Sequence, residues 1–174
     1  MDKRKKENMR VRKSITKAFF DLMQTKNVAD ITITEIVESA GVARASFYRN
    51  YSKKEDIIIG LLLDATERFR AGREVEAIDY KKRSYPKKFF WYIKLYSKYI
   101  VDLHNANLST LALEEFNNFQ ASIAGNMSVN SIEKYSIYFY MGALYNMAEQ
   151  WVLTGTKESL DDITDVFCRH MGIK

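Results

Sequence analysis

Proline, cysteine and histidine are almost missing from this sequence, with one, one and two copies among 174 residues. A single proline leaves long stretches without the strongest helix breaker, and the seven glycines fall mostly where helices are expected to end. The lone cysteine, Cys168, cannot form an intrachain disulfide, so a reducing, cytoplasmic setting is expected. It stands two positions from His170; on a helix the two would face different directions and not form a site together. No nucleophile–base constellation, Gly-rich phosphate loop or paired metal motif occurs, so neither an enzyme nor a resident cofactor is expected. No apolar run reaches the ~18–20 residues of a membrane span, and the opening MDKRKKENMRVRK lacks the apolar stretch of a signal peptide. A membrane-surface role for that basic opening would need a strong apolar face, which it lacks.

What is present is 47% hydrophobic residues and a net charge of +5, in a chain long enough for one sizeable core or two small ones. The charge is unevenly placed. Residues 1–56 carry 13 Lys and Arg against 8 Asp and Glu, whereas residues 57–174 carry 14 of each. The whole excess therefore lies at one end, where a polyanion would be met. The run Lys3, Arg4, Lys5 and Lys6 reads either as a solvated tail or as an arm facing DNA, and its neighbours favour the second.

Helical periodicity runs through the chain, with no strand-like alternation and no repeat. A first helix is expected from about Glu7 to Lys26, with Ile15, Ala18, Phe19, Leu22 and Met23 as its apolar stripe. A helix from near Lys53 to Ala71–Gly72 carries Ile57, Ile58, Leu61, Leu62, Ala65 and Phe69. The charged segment 73–84 reads as a connection. Pro86 suits the first turn of a helix reaching about His104. Another helix is expected over Leu108–Ala124, with Asn107 as cap and Gly125 as stop. Asn130 is then expected to cap a helix ending at Thr154–Gly155, whose centre is apolar on nearly every side and so should be buried all round. Ser159 and Asp162 have capping spacing for a last helix striped by Leu160, Ile163, Phe167 and Met171.

The most informative stretch is Thr32–Ile57. Thr32 and Glu35 have the spacing of a capping box, Ile36, Val37 and Ala40 face inward, and Gly41 stands where the chain must reverse at positive φ. A short helix follows, over about Arg44–Asn50, exposing Arg44, Ser46 and Arg49 beside Phe47 and Tyr48. Helix, glycine turn and donor-bearing helix make up a DNA-reading helix-turn-helix.

These residues resemble the TetR family of bacterial transcriptional regulators, in the positions Thr32, Ile36–Val37, Ala40, Gly41–Val42, Ala45, Phe47, Tyr48 and Lys54. The stretch GALYNMAEQWVLTGTKESLDDI is similar to the C-terminal domain of a subgroup that includes dihydroxyacetone-kinase regulators. Asn50 departs from the usual His or Tyr, and Tyr51 from a common Phe. The resemblance implies an all-α protein with a helix-turn-helix head at 1–56 and a regulatory and dimerisation body at 57–174. It further implies that the recognition helix enters the major groove. Arg44 can then pair with guanine O6 and N7, Ala45 can touch a thymine methyl, Ser46 lies near base edges, and Arg49 reads a base or binds phosphate. Thr34, Tyr48, Asn50 and Lys54 match positions that grip the backbone, although the ring of Tyr48 could also pack under the first helix.

One head reads few base pairs, so a homodimer on a palindromic operator is expected. The resemblance places dimerisation in the last two helices, where Trp151, Leu160, Ile163 and Phe167 are the candidate interface residues. Trp91, Tyr92, Tyr96, Phe116, Phe119, Tyr138 and Tyr145 are candidate walls of an effector pocket, with His104, Glu149 and Asn146 as polar liners, although Glu149 equally suits a solvated or salt-bridged position. The same aromatics also suit plain core. Two mechanisms stand side by side: a small molecule that releases a repressor from DNA, or a body that binds a partner protein. Repression is the family's default.

Overall fold

The computed structural model describes residues 3–71, 79–124 and 132–174. All regular structure among them is helical: α1 (Lys3–Met23), α2 (Ile33–Ala40), α3 (Arg44–Tyr48), α4 (Asp56–Ala71), α5 (Ser84–Leu95), α6 (Ser97–Asn105), α7 (Ser109–Ala124), α8 (Glu133–Leu153) and α9 (Leu160–Met171), with one 3-10 turn at Val28–Asp30. The chain forms two compact units, residues 1–64 and 65–174. The division falls within α4, a few residues beyond the 56/57 boundary expected from sequence.

In the first unit, α1 buries Ile15, Ala18, Phe19 and Phe20 while its polar face stays in water, and Ile31, Ile36, Val37, Phe47, Ile57 and Ile58 complete the core. Burying such side chains contributes about 1.5–3 kcal/mol each before chain entropy opposes it. Helix α1 begins at Lys3, so the basic opening is the first turns of a helix and not a tail preceding one at Glu7. A tight seam joins α1 to α4. Arg12 donates to the Gly60 carbonyl at 3.4 Å and pairs with Asp64 at 3.3 Å. A Cβ on Gly60 would stand 3.0 Å from the Tyr51 ring and 3.1 Å from the Arg12 guanidinium, which explains a glycine inside an apolar helix.

In the second unit, rings of Phe69, Tyr85, Phe89, Phe116 and Phe119 interlock at centroid distances of 5.1–6.5 Å. Such edge-to-face pairs add specificity to apolar burial. Buried Tyr85 donates from its hydroxyl to buried Gln120 at 2.5 Å, so neither polar group is left unpaired. Pro86 lies in the first turn of α5 as expected. The single helix expected from Pro86 to His104 is instead two. Tyr96, at φ −100° and ψ 14°, ends α5 and begins α6. Phe89, Ile93, Ile100 and Leu103 are all buried and have the spacing of one continuous helical stripe, so the apolar pattern runs through the break without marking it.

Asn107 does not cap α7. It takes φ 58°, a left-handed conformation asparagine tolerates, and closes α6, with Leu108 N–H donating to the Leu103 carbonyl at 2.8 Å. Ser159 and Asp162 form the expected capping box of α9. Gly72, Gly125, Asn130 and residues 73–78 of the 73–84 connection lie outside the described residues.

Candidate nucleic-acid interface

The geometry of the Thr32–Tyr48 stretch follows from a few local bonds. The Thr32 hydroxyl accepts from Glu35 N–H at 3.2 Å, and Glu35 accepts back from Thr32 N–H at 2.9 Å. These satisfy two otherwise unpaired groups at the start of α2. Lys26 ion-pairs with the same carboxylate. The Lys26 ammonium first, then the Thr32 amide and hydroxyl, bring the Glu35 pKa from 4.5 to about 2. Gly41 ends α2 at φ 63°, ψ 37°. Val42 N–H reaches back to the Val37 carbonyl at 3.0 Å, the bond pattern of a left-handed helix stop. The reversal sets α3 on α2 with Phe47 as its fully buried plug.

Helix α3 is shorter than the expected Arg44–Asn50, ending at Tyr48. Asn50 donates from its side-chain amide to the Ser46 carbonyl at 2.9 Å, which closes the end of the helix. Arg44, Ala45, Tyr48 and Arg49 are exposed, and Ser46 and Asn50 are half-buried. The ring of Tyr48 does not pack under α1. It is 50% exposed, stands edge-on to Phe47 with centroids 5.4 Å apart, and receives a hydrogen bond from Arg44 at 3.1 Å. Arg44 also donates to the Thr34 hydroxyl at 2.9 Å. Three residues expected at the interface thus form one cluster. Lys54 stands apart from it. Its ammonium donates to the carbonyls of Ala29 and Ile31 at 2.7 and 2.8 Å, tying the start of α4 to the turn before α2 with two of its three donors.

A groove of about 690 Å³ opens beside α3, lined by Lys3, Arg4, Lys5 and Glu7 of α1 together with Ser46 and Arg49. Glu7 is paired with Arg10 at 2.6 Å, and Arg10 lowers its pKa by hydrogen bond and charge. The groove is therefore strongly cationic. Sequence reasoning singled out the basic run but not its junction with Arg49, because nothing in a linear pattern brings residue 4 to residue 49.

The body residues divide. Trp91 and Tyr138 are 46% and 53% exposed. Tyr92 and Tyr96 are half-buried, and the Tyr92 hydroxyl donates to the Arg68 carbonyl at 2.9 Å. Phe116 packs against Tyr145, with centroids 5.7 Å apart, and Phe119 against Phe69 at 5.8 Å. The polar candidates do meet. Buried Glu149 lies 3.5 Å from His104 Nδ1 and accepts from the Tyr145 hydroxyl at 3.4 Å. Burial first, then the charge of Glu149, raises the Tyr145 pKa well above its ordinary value. Asn146 is exposed.

Two residues expected at a dimer interface belong to the core of the single chain. Trp151 and Phe167 are 2% and 1% exposed, and both rings stand 6.1 Å from that of Phe90. Helix α5 covers them, a long-range contact that periodicity cannot foresee. Leu160 and Ile163 are half-buried. Helix α8 is correspondingly not buried all round: Tyr135 and Phe139 are 62% and 70% exposed. Among the described residues no cluster of His, Cys, Asp and Glu could hold a metal ion, and no helix is long and apolar enough to cross a membrane.

Residues 15–61 match the family described as bacterial regulatory proteins, tetR family. No curated protein matches the sequence. Several solved structures share the fold. The dihydroxyacetone kinase operon activator DhaS aligns over 91% of this chain and 92% of its own, at TM-score 0.59 and 16% identity. A TetR transcriptional regulator from Streptococcus agalactiae 2603V aligns over 96% of each chain, at TM-score 0.63 and 18% identity. Another, from Rhodococcus sp. RHA1, aligns over 94% of each, at TM-score 0.57 and 14% identity. Residues 15–61 therefore carry the sequence pattern of the tetR family of bacterial regulatory proteins, and over nine-tenths of its length the chain shares its fold with these solved structures.

Proposed function

We propose that the protein is a dimeric transcriptional regulator that reads a palindromic DNA operator through α3, acts as a repressor, and is released by a small-molecule effector. The observation that carries this reading is that Ser46 and Arg49 line the cationic groove along α1 while Arg44 stands exposed on the same short helix. A base-reading face then adjoins a phosphate-binding one. Arg44 makes the bidentate contact to guanine, Ala45 and Ser46 lie at base edges, and Arg49 with the first turns of α1 meets the backbone. Thr34, Tyr48 and Asn50 flank that contact. Lys54 serves chiefly to hold the turn before α2, with one donor left for phosphate.

A second copy of the chain supplies the second head. The exposed stripe Ile132, Tyr135 and Phe139, followed by Gly142, recurs at three- and four-residue spacing along α8, and exposed apolar surface of this kind favours association. Half-buried Leu160 and Ile163 on α9 are further candidates for contact with the second copy. On this reading the effector binds near His104, Tyr145 and Glu149, a choice supported by the convergence of these polar groups beside Phe116. It can release DNA only by binding the DNA-incompetent state more tightly.

A partner protein in place of a small ligand is the second reading. It is favoured by exposed Trp91 and Leu95, one helical turn apart on α5. DhaS, similar in fold, is named an operon activator, which keeps activation open as the sign of regulation. Selection of bound sites from random duplex DNA tests the core of the proposal. Enrichment of two inverted half-sites supports it, and absence of any enriched sequence overturns it.

A further inference from the structure

The contacts of Arg44 bear on how a base would be chosen. Its guanidinium donates through Nη1 to Thr34 Oγ1 at 2.9 Å and through Nη2 to the Tyr48 hydroxyl at 3.1 Å. Its central carbon lies 5.4 Å from the centre of the Tyr48 ring. An exposed arginine normally samples many rotamers, and fixing it on binding has an entropic cost. Here the fixing is done before any ligand arrives.

Both supports are themselves anchored. Thr34 stands in the first turn of α2, the turn fixed by the Thr32–Glu35 capping box. Tyr48 stands edge-on to fully buried Phe47. The guanidinium therefore bridges both helices of the motif, and its position records their relative placement. Two of its five N–H groups are engaged and three remain, enough for a bidentate contact to guanine O6 and N7. Each supporting hydroxyl accepts from Arg44 and keeps its own proton, which it can donate to a phosphate oxygen.

We propose that Thr34 and Tyr48 are positioning residues that set base specificity through Arg44, and not backbone anchors alone. The proposal rests on the reading of Arg44 as the guanine-binding residue given above. A backbone anchor and a positioning residue differ in what their loss does. An anchor contributes equally on every sequence, whereas a positioning residue contributes only where the positioned group finds its base.

The test uses the full chain with three duplexes: the selected site, the same site with its guanine replaced, and a random sequence. Thr34→Val and Tyr48→Phe each remove one hydroxyl while keeping the shape of the side chain. Each is expected to lower selected-site affinity more than random-sequence affinity, so that their ratio falls by about 3- to 10-fold. Thr34→Ser restores the ratio. In an Arg44→Ala background neither substitution changes the ratio further. The proposal is overturned if selected and random affinities fall together, or if the effects persist without Arg44. Tyr48→Phe, at a half-exposed ring, carries the test alone should Thr34→Val unfold. An unchanged ratio in Arg44→Ala by itself would instead remove the base-reading role, a separate and visible outcome.

Discussion

The two units of this chain hold their functional candidates in opposite ways. In residues 1–64 the important side chains are polar, exposed and fixed by short local bonds: Thr32 to Glu35, Arg44 to Thr34 and Tyr48, Asn50 to Ser46. In residues 65–174 the buried candidates are mostly aromatic, and several are fixed by residues far away in sequence, as Phe90 fixes Trp151 and Phe167. A surface that meets a polyanion can be built on one turn and two helix ends. An interior surface cannot be separated from the core that supports it. Each substitution below sets one unit against the other.

The largest effect is expected from Phe167→Ala. Its ring is almost fully buried between Phe90 and Tyr140, so truncation should cost about 3–5 kcal/mol in denaturant unfolding. The loss should be independent of protein concentration. A loss that appears only on dilution would return Phe167 to an interface between copies. Next is Phe139→Arg, on the exposed stripe of α8. It should leave the single-chain core intact while weakening association by about 2 kcal/mol. Sedimentation at micromolar concentration would then give one chain for the variant and two for the parent. A one-chain mass for the parent itself would sink the dimer.

Thr32→Ala probes the head's dependence on a local bond. Loss of the cap should destabilise the first unit by about 1 kcal/mol, seen as faster amide exchange in α2 with α8 unaffected. The smallest effect is one of pH. A carboxyl with a depressed folded pKa contributes its stability above its unfolded value and loses it as pH falls through the folded one. For Glu35 that window runs from 4.5 down to about 2. Acid titration of α2 amide signals should show the midpoint near the lower value, and Lys26→Met should move it upward. A midpoint already at the ordinary carboxylate position would contradict the Lys26 and Thr32 contacts.

The same contrast explains what could be read from the sequence. The start and stop of α2 were legible because Thr32, Glu35 and Gly41 act within three residues of their targets. Arg44, Ala45, Ser46 and Arg49 were legible as an exposed set because a five-residue helix plugged by Phe47 has only one face to bury. The cluster linking Arg44 to Thr34 was not, since it depends on how the turn sets one helix against the other. In the body, Trp151 and Phe167 carried the same apolar signal as a partner-facing stripe. Periodicity reports that a face is apolar but not which element covers it. The break at Tyr96 was hidden because no proline or glycine marks it and the apolar spacing of Phe89, Ile93, Ile100 and Leu103 continues through it.

Arg44 is where the account is most exposed. Titration of the parent and Arg44→Ala against the selected site and against random DNA, over a salt series, measures its role directly. If Arg44 reads a base, Arg44→Ala loses about 1–3 kcal/mol on the selected site and relaxes preference at one base position. Random-sequence binding should change far less. Equal losses on selected and random DNA would contradict it, and would make Arg44 one more cation on a phosphate-binding face.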